Sequence, residues 1–209
     1  MTIRSNESSA IVLCGGKSLR AGFDKQTICI EGNPIAEWIA DALSRTFSEV
    51  ILVTNQPTLY DSVRYCVTED LIPNMGPLGG IHAGLTYCKN DFALVTACDM
   101  PNICHAYLRL LKKEAEKGNG EYDAIAVRLD NGMVEPMNAL YARRTLPQIE
   151  QMLFLGERKT SDLLRRLKMR YLSEDEIKPF GERARLFLNM NTPDEIQSYF
   201  AQVQAQESE

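Results

Sequence analysis

Short apolar runs bounded by turn residues recur along the chain at 10–13, 50–54, 92–98 and 124–127. Near-continuous apolar character over a strand's length is what a parallel strand covered on both faces requires. Between these runs the period changes. Over 34–47, Ile35, Trp38, Ile39, Ala42, Leu43 and Phe47 fall on one helical stripe, with Pro34 suited to the first turn. Over 103–117, Tyr107, Leu108, Leu111 and Ala115 do the same, and Gly118 supplies a stop. Strands that alternate with helices predict an α/β fold, a Rossmann-like three-layer α/β/α domain with a mostly parallel central sheet. In that class ligands bind at the carboxyl ends of the strands.

Beyond Asp130 the pattern is less regular. Candidate strands at 134–141, 169–172 and 185–188 surround a helix at about 145–155, and one strand here is expected to run antiparallel. No internal repeat or linker breaks the chain, so 10–200 is read as a single domain. The polar segments 1–9 and 201–209 are read as flexible tails.

Composition narrows the function classes. The chain has 209 residues, 44% hydrophobic and 24% charged, within the range of a globular domain. A net charge of −5 argues against a dedicated nucleic-acid binder, so no nucleic-acid partner is expected. Six cysteines show no C-x-x-C pair, and two histidines cannot complete the usual zinc spacings, so reduced thiols are expected. No apolar run reaches the length needed to span a bilayer and no signal peptide is visible, which together predict a cytoplasmic protein without membrane partners.

The first run leads straight into CGGKSLRAGFDK, residues 14–25. Ile11 stands where a P-loop needs its first glycine, and the adjacent Gly15 and Gly16 break the G-x-G-x-x-G spacing. Adjacent glycines after a strand still let backbone N–H groups approach an anion. Arg20 could grip phosphate oxygens in a fork, with Lys25 acting as a point charge. A plain glycine turn with solvated lysines is the alternative.

A second glycine-rich segment, EDLIPNMGPLGGIHAG at 69–84, follows a candidate strand at 65–68. Its glycines suit a helix packed closely on a sheet, while Asp70, just past a strand end, could accept from a ribose hydroxyl or a base. In FALVTACDMP, 92–101, Asp99 ends a buried run. At the sheet edge such a carboxylate can hold Mg2+ together with phosphate oxygens and water. The alternative is a cap on the helix near Ile103, for which Asn102 is better placed. Farther on, Glu135-Pro136 precedes an apolar run. Asn189 and Asn191 lie just before Thr192 and Glu195, which fit a capping box. The two asparagines could bind a polar ligand or make turns. His82 and His105 belong to no base constellation and are read as structural.

Taken in order, these segments resemble molybdenum cofactor guanylyltransferases, within the sugar-nucleotide type of nucleotidyltransferase. The pattern L-A-G-G-x-S-x-R-M-G-x-D-K is similar to residues 13–25, G-P-L-x-G-I to 76–81 and C-D-M-P to 98–101. E-P-x-x-A-x-Y is similar to 135–141, and N-x-N-T-P-x-(D/E) to 189–195. Cys14 and Ala21 replace the usual alanine and methionine.

The resemblance implies transfer of GMP from GTP to the phosphate of molybdopterin carrying molybdenum, with release of pyrophosphate. It implies that the backbone of Leu13, Cys14 and Gly15 holds guanine, that Asn55 and Asp70 hold the nucleoside, and that Lys25 holds the phosphates. Asp99 would bind Mg2+, and Arg20, Lys25 and Asp99 would relieve charge during transfer. Arg158, Asn189 and Asn191 would face the pterin substrate. Transient contact with a molybdoenzyme or a cofactor-insertion protein would follow. The alternatives are a cytidylyltransferase on the same cofactor, a sugar-1-phosphate nucleotidyltransferase, and a non-catalytic carrier of nucleotide or cofactor.

Overall fold

The computed structural model describes residues 7–15, 25–30 and 32–207. In chain order the elements are β1 (Ser9–Leu13), β2 (Cys29–Ile30), β3 (Asn33–Pro34), α1 (Ile35–Ser44), β4 (Glu49–Val53) and β5 (Cys66–Thr68). Then come α2 (Gly76–Tyr87), β6 (Phe92–Ala97), α3 (His105–Lys117), β7 (Ala124–Val127), β8 (Ala139–Ala142) and α4 (Leu146–Phe154). The remainder is α5 (Thr160–Arg166), β9 (Met169–Leu172), α6 (Glu174–Ile177), α7 (Arg183–Leu186) and α8 (Pro193–Glu207).

Seven strands form one sheet in the order β5-β4-β1-β6-β8-β7-β9, while β2 and β3 form a small separate ribbon. Every neighbouring pair in the large sheet is parallel except those of β8, which runs antiparallel to both β6 and β7. The expected α/β class with one antiparallel strand is therefore the fold observed. β1 lies at the centre, in register with β4 on one side and β6 on the other.

The apolar run of β1 is continuous because both of its faces are covered. Ala10 and Val12 pack with α1 and α3 residues on one side, while Ile11 and Leu13 pack with α2 residues on the other. Fully burying an Ile or Val side chain contributes about 1.5–3 kcal/mol, so this strand anchors both layers. Two glycines allow α2 to come close. A Cβ on Gly84 would lie 2.5 Å from the Ile11 side chain, and one on Gly80 would lie 2.9 Å from that of Leu13. Gly76 opens the helix at φ +61°, a left-handed conformation that glycine adopts without strain.

Several boundaries differ from the sequence pattern. Ser9, assigned to a tail, is buried in β1, and its hydroxyl donates to Glu49 at 2.6 Å. Residues 201–207, also assigned to a tail, continue α8, because Ala, Gln and Glu are good helix formers. The strand expected at 185–188 is instead the end of α7, with Phe187 and Leu188 packed against the core. Two side-chain amides hold it there. Asn102 donates to the Arg185 carbonyl at 2.8 Å, and Asn138 donates to the Leu186 carbonyl at 3.0 Å. Asn102 therefore caps no helix; α3 begins after Cys104 without a side-chain cap. The strand expected at 134–141 is confined to β8, because Asn138 at φ +49° turns the chain just before it.

Candidate active site

The parallel ladder continues one step past β1, and this lines up the functional edge. Cys14 N–H donates to Val53 at 2.8 Å, Cys98 N–H to Leu13 at 3.0 Å, and Thr54 N–H to Thr68 at 2.9 Å. The residues that follow, Gly15, Asn55, Asp70 and Asp99, thus leave the sheet along one edge, at the carboxyl ends of β1, β4, β5 and β6.

Next to this edge is an open cleft of about 470 Å³, whose walls include Leu13, Gly15, Asn55, Asp70, Gly80 and Arg158. Asp70 and Asn55 are hydrogen-bonded side by side. Burial pushes the Asp70 carboxyl above the usual range, and the Asn55 amide opposes that shift. A half-buried carboxylate next to an amide offers acceptors and donors together, which suits a nucleoside with N–H and O–H groups. Cys14 turns its side chain away, with its thiol buried in the core and donating to Val12 at 3.4 Å. Burial pushes that thiol well above its ordinary pKa, and only its backbone belongs to the edge.

Two residues missed by the sequence reading support the cleft from below. Gln26 is 5% exposed and Thr54 is 1% exposed. The Thr54 hydroxyl donates to the side-chain amide oxygen of Gln26 and accepts from Gln56 N–H at 2.9 Å. This fixes where the Lys25–Thr27 turn rejoins the fold. A Gln one position after a Lys carries no motif, so the bond was invisible in sequence. Arg20 lies outside the described residues, as does the side chain of Lys25.

Asp99 lies in the turn after β6 and is only partly covered. Met190 N–H donates to its carbonyl at 2.8 Å, so the 189–191 segment is held against this turn. The expected capping box beyond it is present: Glu195 N–H donates to the Thr192 hydroxyl at 3.2 Å, and the Glu195 carboxylate accepts from Thr192 N–H at 3.2 Å. Asn189 does not enter the cleft of Asp70. It lines a second, shallow cavity of about 530 Å³ with Met190, Glu195 and Tyr199. Arg158, expected on the pterin side, lines the same cleft as Asp70.

The histidines lie elsewhere. His105 Nδ1 is 2.8 Å from the Thr46 hydroxyl, and His82 Nε2 is 3.5 Å from the Glu150 carboxylate. Desolvation, reinforced by Arg45 and Arg109, lowers the His105 pKa. No group of three or more His, Cys, Asp or Glu side chains forms a metal cluster among the described residues. Among them, no helix is long and apolar enough to cross a membrane.

Residues 10–171 match the family model described as the MobA-like NTP transferase domain. The chain belongs to this family. Among its relatives, a protein of Peptoclostridium acidaminophilum named as a probable molybdenum cofactor guanylyltransferase is 40% identical over 194 residues, 91% of this chain and 87% of that one. A molybdenum cofactor guanylyltransferase of Syntrophotalea carbinolica is 36% identical over 191 residues, 91% and 90% of the two chains. The crystal structure of molybdopterin-guanine dinucleotide biosynthesis protein A from Archaeoglobus fulgidus superposes with a TM-score of 0.74 at 30% identity, covering 91% of this chain and 95% of that one. The MobA-like family is one of nucleotidyltransferases, and the motifs read from the sequence are spread along the matched region and past its end.

Proposed function

We propose that the protein transfers GMP from GTP to the phosphate of molybdopterin carrying molybdenum, releasing pyrophosphate. The observation that supports this most directly is the Asn55–Asp70 pair in a cleft whose wall is the Leu13–Gly15 backbone, beside Asp99 on the neighbouring part of the same edge. In this reading, Leu13, Cys14 and Gly15 present backbone groups to guanine, and Asp70 and Asn55 accept from and donate to the nucleoside. Arg158 reaches the nucleotide from the far wall.

Asp99 is a hard oxygen donor at a partly open sheet edge, and among the described residues no cluster of carboxylates surrounds it. That donor set fits Mg2+, which takes one or two carboxylates plus phosphate oxygens and water. Bound there, Mg2+ would offset charge on the phosphates during transfer. Lys25 and Arg20 add positive charge from the first loop. The acceptor phosphate is already an anionic nucleophile, so the protein's work is positioning and charge relief, with no general base required. We place the reaction in the cytoplasm, with handover of the product by transient contact with a cofactor-insertion protein or molybdoenzyme.

The test is incubation of the purified chain with molybdenum-loaded molybdopterin, Mg2+ and either GTP or CTP. Pyrophosphate release with GTP, and GMP recovered on acid hydrolysis of the product, are expected. Release with CTP alone would overturn the guanylyl assignment.

A further inference from the structure

One half-buried carboxylate on the functional edge has no place in the reading so far. Glu135 follows the tight turn closed by Leu129 N–H to Met133 O at 2.7 Å and Gly132 N–H to Leu129 O at 2.8 Å. Its own N–H donates to Val127 at 3.0 Å, which fixes it at the carboxyl end of β7. From there the chain turns at Asn138 into β8, where Ala139 pairs with Val95 of β6. Because β8 runs antiparallel to both β6 and β7, those two strands point the same way and their carboxyl ends share one edge. Glu135 therefore lies on the same edge as Asp99, on the side away from the cleft of Asp70.

Among the described residues the Glu135 carboxylate makes no hydrogen bond, although it is partly covered. Burial pushes its pKa up, and the positive charge of Arg183 opposes that shift. Arg183 is the first residue of α7, the helix held by the Asn102 and Asn138 amides, so a rigid framework sets its position. A partly covered carboxylate at that edge, with no hydrogen bond among the described residues, suits a ligand that brings its own N–H groups.

The product in the reading above carries the same hydrogen-bonding edge at both ends. Guanine and a pterin each present a 2-amino-4-oxo ring, with a ring N–H and an exocyclic amine pointing the same way. Among the described residues the sheet edge offers a half-buried carboxylate on either side of Asp99: Asp70 toward the β4 and β5 end, and Glu135 toward the β8 and β7 end. We infer that Glu135 is the specificity residue for the acceptor, its two carboxylate oxygens accepting the paired N–H donors of the pterin ring, while Arg183, which is ion-paired to Glu174 at 3.7 Å, offsets its charge from a distance. This inference rests on the guanylyl-transfer reading and adds the acceptor's side to it.

The test is steady-state kinetics with GTP, Mg2+ and molybdenum-loaded molybdopterin on the wild type, Glu135→Gln and Glu135→Asp. Gln keeps the shape but turns one acceptor into a donor, so the acceptor KM should rise about tenfold or more, by the cost of mispairing a charged hydrogen bond. The KM for GTP should stay within about twofold, as expected for contacts made to only one of the two substrates. Glu135→Asp retains the charge but shortens the reach and should give an intermediate acceptor KM; it also serves if the Gln variant fails to fold. An unchanged acceptor KM in a folded variant, or a GTP KM that rises in step, would overturn the assignment. A wild type that turns over no molybdopterin would refute the functional reading itself, and this inference with it.

Discussion

The backbone N–H of Met190 donates to the carbonyl of Asp99 at 2.8 Å, fastening a late segment of the chain to the turn that carries the candidate metal ligand. The tie is between main-chain atoms, so it survives any change of the Asp99 side chain. Asp99→Ala is therefore expected to keep the fold, with the melting temperature lowered by no more than a few degrees. Its Mg2+-dependent turnover should fall by about 100-fold or more, the scale of losing one electrostatic stabiliser. Calorimetric melting with a pyrophosphate-release assay checks both; full turnover would remove Asp99 from the site.

Asp70 makes an opposite prediction for stability and binding. Its carboxyl pKa is raised in the folded state, chiefly by burial, so the folded protein holds this proton more tightly than the unfolded chain does. The stabilising contribution is then complete below the unfolded value and is lost as pH rises through the folded value. Asp70→Asn should consequently melt about 1–2 °C higher than the wild type at pH 7. The two should converge as the solution is acidified. The same variant should bind GTP more weakly at pH 7, since an amide replaces the acceptor. A variant that is less stable at pH 7 and still binds GTP normally would contradict both halves.

How much of this was legible beforehand depended on whether a residue's role was local. The strands β1, β4, β6 and β7 were readable because burial on both faces demands unbroken apolar runs. The stripes of α1 and α3 were readable for the matching reason in helices. Asp70 and Asp99 were legible as polar residues at strand ends. The failures were set by distant partners: the residues of α7 alternate like a strand, but amides from Asn102 and Asn138 hold the segment as a helical turn. Gln26 was missed for the same reason, its partner Thr54 being far along the chain.

Gly84 gives a prediction about packing alone. Alanine is the better helix former by about 1 kcal/mol, so Gly84→Ala would stabilise an isolated α2. In the fold its Cβ would lie 2.5 Å from Ile11, inside contact distance, at a strand buried along its whole length. Overpacking of this kind costs about 1–3 kcal/mol, so the melting temperature should fall by several degrees, roughly 2–4 °C per kcal/mol at this chain length. Ile11→Val removes one of the crowding carbons, and the double variant should recover part of the loss. A Gly84→Ala protein that melts higher than the wild type would show that helix propensity outweighs the contact.

Thr54→Val tests whether the support below the cleft matters for the substrate as well as the fold. Valine keeps the shape of threonine but loses the hydroxyl, removing both the bond to Gln26 and the acceptor for Gln56 N–H. The Thr54 and Gln26 side chains are buried, so the loss should cost about 1–3 kcal/mol, seen as a lower melting temperature. Gln26 directly follows Lys25, and loosening it frees the turn where the first loop returns to the sheet. The KM for GTP should therefore rise several-fold while kcat at saturation changes little, because the loop still reaches its position once nucleotide is bound. Thr54→Ser restores the hydroxyl without the methyl group and should recover most of the GTP affinity. A drop in stability shared by both variants, with no change in KM for either, would confine the Thr54–Gln26 bond to a structural role.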